Sequence, residues 1–133
     1  MKYMLLMQFS AKTAGFPPIG TWKPEEIKAH LAHMDDINRA LVESGEWADG
    51  QGLAGPDEGR IVRAGAGGEP VVTEGPFPET KEFLAGFWVV DVDGPERAVE
   101  IAALASAAPG PGGTPLNMPI EVRQVMAGPP AEF

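Results

Sequence analysis

The chain has no cysteine. Disulfides, thiol nucleophiles and thiolate metal sites are therefore excluded. Among its 133 residues there are 2 histidines and 1 tyrosine. Acid/base chemistry near neutral pH thus has few side chains to draw on. No run of about 18 apolar residues occurs, so no helical membrane span is expected. Basic residues are scarce: 10 Lys and Arg stand against 19 Asp and Glu, a formal net charge of −9. An acidic surface repels phosphate backbones, so nucleic acid is not an expected partner. The apolar run Tyr3 to Met7 is too short for a signal-peptide core and reads as a strand. A cytoplasmic location is the resulting expectation.

The length suits one domain with a real core, placed at residues 1–127, with a short tail at 128–133. The chain is organised around Glu74 to Ala103. Within it, Phe83 to Val92 reads Phe-Leu-Ala-Gly-Phe-Trp-Val-Val-Asp-Val and is apolar on both faces. Such a strand needs cover on two sides. Gly86 in its middle predicts a bulge or a close backbone approach. Before it lies Glu74-Gly75-Pro76-Phe77-Pro78-Glu79-Thr80-Lys81. Two prolines and a glycine make this a rigid turn, and Glu74, Phe77 and Lys81 make it a candidate pocket rim.

Met1 to Phe9 is a first strand, again apolar on both faces. Ser10 to Trp22 is a Gly/Pro loop whose Phe16 and Trp22 fold back on the core in preference to covering a pocket. Pro24, Glu25 and Glu26 open a helix that ends near Gly45, a left-handed cap. Ile27, Leu31, Met34, Asn38 and Leu41 form its expected buried stripe. Both histidines lie on this helix, with Glu26, His30, His33 and Ile37 on one flank. Asp36 follows His33 by one turn and is in reach to orient its ring, which makes the two a candidate acid/base couple. The alternative is a half-buried histidine with solvated acidic neighbours. The Glu26, His30, His33 spacing also permits a metal, but it is not the paired spacing of the well-marked zinc helices, and no metal or cofactor is implied.

Trp47 to Leu53 is a glycine-rich strand, followed by a turn at Gly55 to Gly59. Arg60 to Ala64 and Pro70 to Thr73 form a hairpin. Its loop, Gly65 to Gly68, lacks the Lys-Ser/Thr ending and the following helix of a phosphate loop. After the central strand, Asp93 or Gly94 caps a helix with Pro95 and Glu96 in its first turn. Ala98, Val99, Ala102 and Ala105 are its expected apolar face. Ile120 to Met126 is the last strand.

The segment EGPFPETKEFLAGFWVVDVDGPERAVEIA resembles the signature of the YCII-related, or DGPF-domain, family. MKYMLLMQF resembles the family's opening strand, ESGEWADGQGLAGP its Gly-rich segment, and IEVRQVM its closing strand. The resemblance spans most of the chain except residues 10–24 and the tail. Two positions depart: Glu74 stands where the family has Asp, and Gln124 where it has Pro.

The element order gives an α+β fold, a ferredoxin-like split βαβ antiparallel sheet with an inserted β-hairpin. Two helices cover only one face of such a sheet, yet its two longest strands are apolar on both. The second face is expected to meet the same face of another copy. The resemblance implies the same homodimer, a dimeric α+β barrel. It also implies isomerase- or lyase-like proton transfer on a small organic compound, with a His–Asp couple. Here that couple would be His33 as base and Asp36 as its orienter, in a pocket between the sheet and the first helix. Glu74, Phe77, Lys81 and Trp88 would be ligand-binding. A second reading stands beside it: a non-catalytic dimeric small-molecule-binding or regulatory module, which the family's association with sigma factors would imply.

Overall fold

A computed structural model describes residues 1–10, 14–75 and 82–128. Among them the elements run β1 (Lys2–Phe9), α1 (Pro24–Ser44), β2 (Trp47–Gly52), β3 (Arg60–Ala64), β4 (Pro70–Glu74), β5 (Phe83–Asp91), α2 (Pro95–Ser106) and β6 (Ile120–Gln124). Four strands form an antiparallel sheet in the order β2-β5-β1-β6. Strands β3 and β4 form a separate two-stranded ribbon. This is the ferredoxin-like α+β arrangement expected from the sequence, with the hairpin inserted between β2 and β5.

The two doubly apolar strands, β1 and β5, are the two central ones. Their register sets Tyr3 opposite Val90, Leu5 opposite Trp88 and Met7 opposite Gly86. Directly opposed residues share a face, and this face is the one the helices cover. Tyr3, Leu5, Trp88, Val90 and Val92 join Ile37 and Leu41 of α1 and Ala98, Ile101, Ala102 and Ala105 of α2 in one core. The other face carries Met4 and Leu6 beside Val89 and Phe87. These four are only half-buried.

Helix α1 starts at Pro24, whose missing N–H costs nothing in a first turn. The Glu26 carboxylate accepts from the Lys23 backbone N–H at 2.9 Å and from the Gly112 N–H at 2.6 Å. The first bond closes the helix start, and the second ties it to the connection after α2. Those two N–H groups, Gly112 first, hold the Glu26 carboxyl below its usual range. The helix ends at Gly45 with φ of 78°, a left-handed conformation that glycine adopts without strain.

Two helix faces differ from the expected ones. On α1 the buried residues are His30, Ile37 and Leu41, whereas Leu31 is 53% exposed. Beneath the middle of α1 the sheet offers glycines in place of side chains, so Leu31, Met34 and Asn38 overhang a cavity. On α2, Ile101 is buried and Val99 is exposed. The small residues Ala98, Ala102 and Ala105 fill the rest of that contact and are all buried. The last strand stops at Gln124, two residues short of the expected Met126.

The loop aromatics do fold back. Trp22 is buried and donates its Nε1–H to the Pro17 carbonyl at 2.8 Å. Phe16 lies between Phe9 and Trp22, with ring centroids 5.5 and 6.2 Å away. Both also line a cavity, so packing and cover are one role here. Among the described residues no helix is long and apolar enough to cross a membrane.

Candidate functional site

Glycine opens the site. On the helix-covered face, Gly52 of β2 pairs with Gly86 of β5, and Gly50 pairs with Trp88. Three positions under one helix therefore lack a Cβ. Two of them are tight: a Cβ on Gly86 would come within 2.9 Å of the Gln51 carbonyl oxygen, and one on Gly50 within 2.6 Å of the Trp47 ring. Between this floor and α1 lies a cavity of about 500 Å³, walled by Met34, Asn38, Trp47 and Trp88 among others. That volume falls in the range of small-molecule sites. A second lobe of about 370 Å³ lies beside it, lined by Phe9, Phe16, Trp22 and Phe83. The two lobes share Met7, Ile19, His30, Leu53 and Ala85.

His30 thus stands where the lobes meet. It is 7% exposed. Its ring sits edge-on to Trp22, with centroids 5.5 Å apart at 84°. Its Nδ1 lies 3.0 Å from the Pro109 carbonyl oxygen. A carbonyl only accepts, so Nδ1 carries the proton and donates. In the neutral ring the lone pair is then on Nε2. No partner for Nε2 occurs among the described residues, where every fully buried side-chain polar atom has one. This nitrogen is therefore not sealed off by the fold, and His30 lines both lobes. His30 is the one titratable side chain among the described residues lining the two lobes.

A second polar group belongs to the first lobe. Trp88 donates its Nε1–H to Asn38 Oδ1 at 2.8 Å. Trp88 is buried in the core and also walls the cavity.

The residues singled out in the sequence are placed differently from one another. His33 Nε2 is 2.8 Å from the Leu104 carbonyl, in the last turn of α2. Carbonyls there lack helical partners, and a histidine N–H satisfies one. Asp36 is exposed and meets Arg39 Nη1 at 3.3 Å. The structure thus engages His33 Nε2 and Asp36 with other residues and not with each other. Glu26, His30 and His33 likewise each hold separate partners. Glu74 is exposed at the end of β4, opposite Arg60, and is not among the cavity-lining residues. Phe77 and Lys81 lie outside the described residues. Of the described residues in the set, Trp88 is the one on the cavity wall. Sequence reasoning set His33 ahead of His30 and read Asn38 as part of the buried stripe. The available signal was the spacing of Gly50 and Gly52 on one strand face, which removes the side chains that α1 would otherwise meet.

One ion pair braces the frame around the site. Arg97 forks onto Glu46, Nε to Oε2 at 2.8 Å and Nη2 to Oε1 at 2.9 Å. It joins the first turn of α2 to the corner between α1 and β2. The guanidinium bonds, helped by the Ser44 hydroxyl, pull the Glu46 carboxyl from 4.5 to about 2.

Comparison with known proteins adds two findings. The sequence model of the YCII-related domain matches residues 1–110. An uncharacterised protein of Rhizobium meliloti (strain 1021) is 33% identical over 92 residues, covering 68% of this chain and 73% of that protein.

Proposed function

The chain belongs to the YCII-related domain family, and on that footing we propose that it binds a small organic compound in the cavity under α1 and moves a proton on it with His30. The observation that carries this is the Nε2 lone pair of a buried, oriented histidine at the junction of two cavity lobes. Orientation comes from the Pro109 carbonyl, which fixes the tautomer. With one base, the balanced reaction is an isomerisation. Nε2 takes a proton from a carbon next to a carbonyl, the electron pair shifts into the conjugated system, and the imidazolium returns the proton to another carbon. No net proton is needed.

A second reading keeps the cavity and drops the chemistry, as a binding or regulatory module. It is favoured by the neutral partner on Nδ1, since a carbonyl stabilises the imidazolium less than a carboxylate would. The test is proton exchange in D2O, followed by NMR, on a panel of unsaturated cyclic ketones and lactones. Expected is exchange or isomerisation that falls by about a hundredfold or more in His30→Gln. It should persist in His33→Gln. Equal rates in wild type and His30→Gln would overturn the catalytic reading and leave the binding module.

The same proposal extends to assembly: two copies meet through the sheet face opposite the helices. Met4, Leu6, Phe87 and Val89 give that face an apolar centre. Asp49 and Gln51 border it on β2, and Glu121 and Arg123 on β6. A face with an apolar middle and margins of both signs complements itself across a two-fold axis.

A further inference from the structure

The first lobe has polar groups at both ends, and their hydrogen-bonding roles are opposite. An indole N–H donates and never accepts. The Trp88 bond therefore fixes which amide atom of Asn38 is oxygen: Oδ1 faces the indole and Nδ2 faces away. Nδ2 has no partner among the described residues, and no fully buried side-chain polar atom there is without one. Asn38 lines the cavity, so its N–H groups are open to a ligand. His30 and Asn38 are on the same helix, separated by roughly 12 Å along its axis at 1.5 Å per residue. Leu31 and Met34 line the wall between them. The lobe therefore presents a lone pair at one end, N–H donors at the other, and apolar surface between. No Lys or Arg occurs among its described lining residues, and the chain carries a formal net charge of −9. An uncharged acceptor suits such a site better than an anion.

We infer that the ligand is an elongated, mainly apolar, uncharged molecule with a second carbonyl acceptor, remote from the reacting one, held by Asn38 and its proton-donating end at His30. Asn38 is a positioning residue. It lies too far from His30 to touch the reacting atoms and acts by fixing the ligand's remote end, with Trp88 fixing the amide. This inference rests on the cavity being the binding site, and the test separates the two. The probe is a para-hydroxyphenyl alkanone, compared with its analogues lacking the ketone or the hydroxyl. Binding is read by the fluorescence of Trp47 and Trp88, which wall the lobe. Each analogue should bind wild type about five- to tenfold more weakly than the full probe. Asn38→Asp keeps an oxygen for Trp88 and removes the donors. That variant should lose the preference for the ketone while keeping the preference for the hydroxyl. His30→Gln should show the reverse pattern. If Asn38→Asp still prefers the ketone as wild type does, the role of Asn38 is overturned and the cavity reading stands. If wild type binds none of the three, both fall.

Discussion

A missing side chain is what opens the cavity under α1, and the three floor glycines do not bear it equally. A Cβ on Gly86 would sit 2.9 Å from backbone oxygen, whereas one on Gly52 meets nothing within 4 Å. Gly86 is therefore a packing requirement and Gly52 an open position. Gly86→Ala should lower stability by about 1–3 kcal/mol, since backbone must shift to admit the methyl. Gly52→Val should leave stability unchanged or raise it by about 0.5 kcal/mol, because a strand favours a β-branched residue and glycine loses more entropy on folding. The same valine would project into the cavity and weaken the binding of the hydroxyphenyl probe. Thermal melts and fluorescence titrations of the two variants give opposite orders if this is right. Equal destabilisation, or undiminished probe binding by Gly52→Val, would count against the glycine floor. In the sequence, Gly86 already announced a close approach. The setting of His30 was not legible, because its ring is oriented by a Pro109 carbonyl 79 residues away, and no local pattern encodes that partner.

Elements were easier to read than the sides they present. Strand and helix order, the Pro24 start and the Gly45 stop of α1 follow from local rules of period, capping and backbone freedom. The facing residues of α1 do not, since helical period gives a stripe but the surface beneath decides which neighbours of that stripe are buried. The bracing of α2 against the α1–β2 corner was equally hidden, because Arg97 and Glu46 are distant in sequence. Its energetic signature is testable through pH. The Glu46 carboxyl is depressed from 4.5 to about 2 in the folded chain, so folding favours the ionised form. That contribution is complete above pH 4.5 and is lost as pH falls through about 2. Arg97 is 43% exposed, which keeps the gain at or below about 1 kcal/mol. Glu46→Gln should therefore melt below wild type at pH 7, with the gap closing between pH 4.5 and 2. A gap that is constant with pH would assign the effect to packing instead of charge.

At the scale of the whole molecule, the sequence already held the key tension: two central strands apolar on both faces and only two helices to cover them. The structure places both helices on one face and leaves Met4, Leu6, Phe87 and Val89 half-exposed on the other. The β3–β4 ribbon adds Ile61, Val62, Val71 and Val72, all exposed. What covers the sheet face lies outside the pattern of a single chain, so that chain's periodicity names the face and not its occupant. If a second copy occupies it, a charge at its centre should separate the copies without unfolding either. Leu6→Glu is the decisive change, because Leu6 sits opposite Phe87 in the middle of that face and outside the helix-covered core. Leu5→Glu is the contrast: Leu5 is fully buried between the sheet and the helices, where an unpaired carboxylate would unfold the domain. Sedimentation equilibrium should give twice the chain mass for wild type and the single chain mass for Leu6→Glu, which keeps its circular dichroism and its His30 NMR signals. Since Leu6 is not among the described residues lining either lobe, the Leu6→Glu variant should still bind the hydroxyphenyl probe. A wild-type chain that sediments as a monomer, or a Leu6→Glu variant that stays dimeric, would remove the sheet face as the interface while leaving the site under α1 intact.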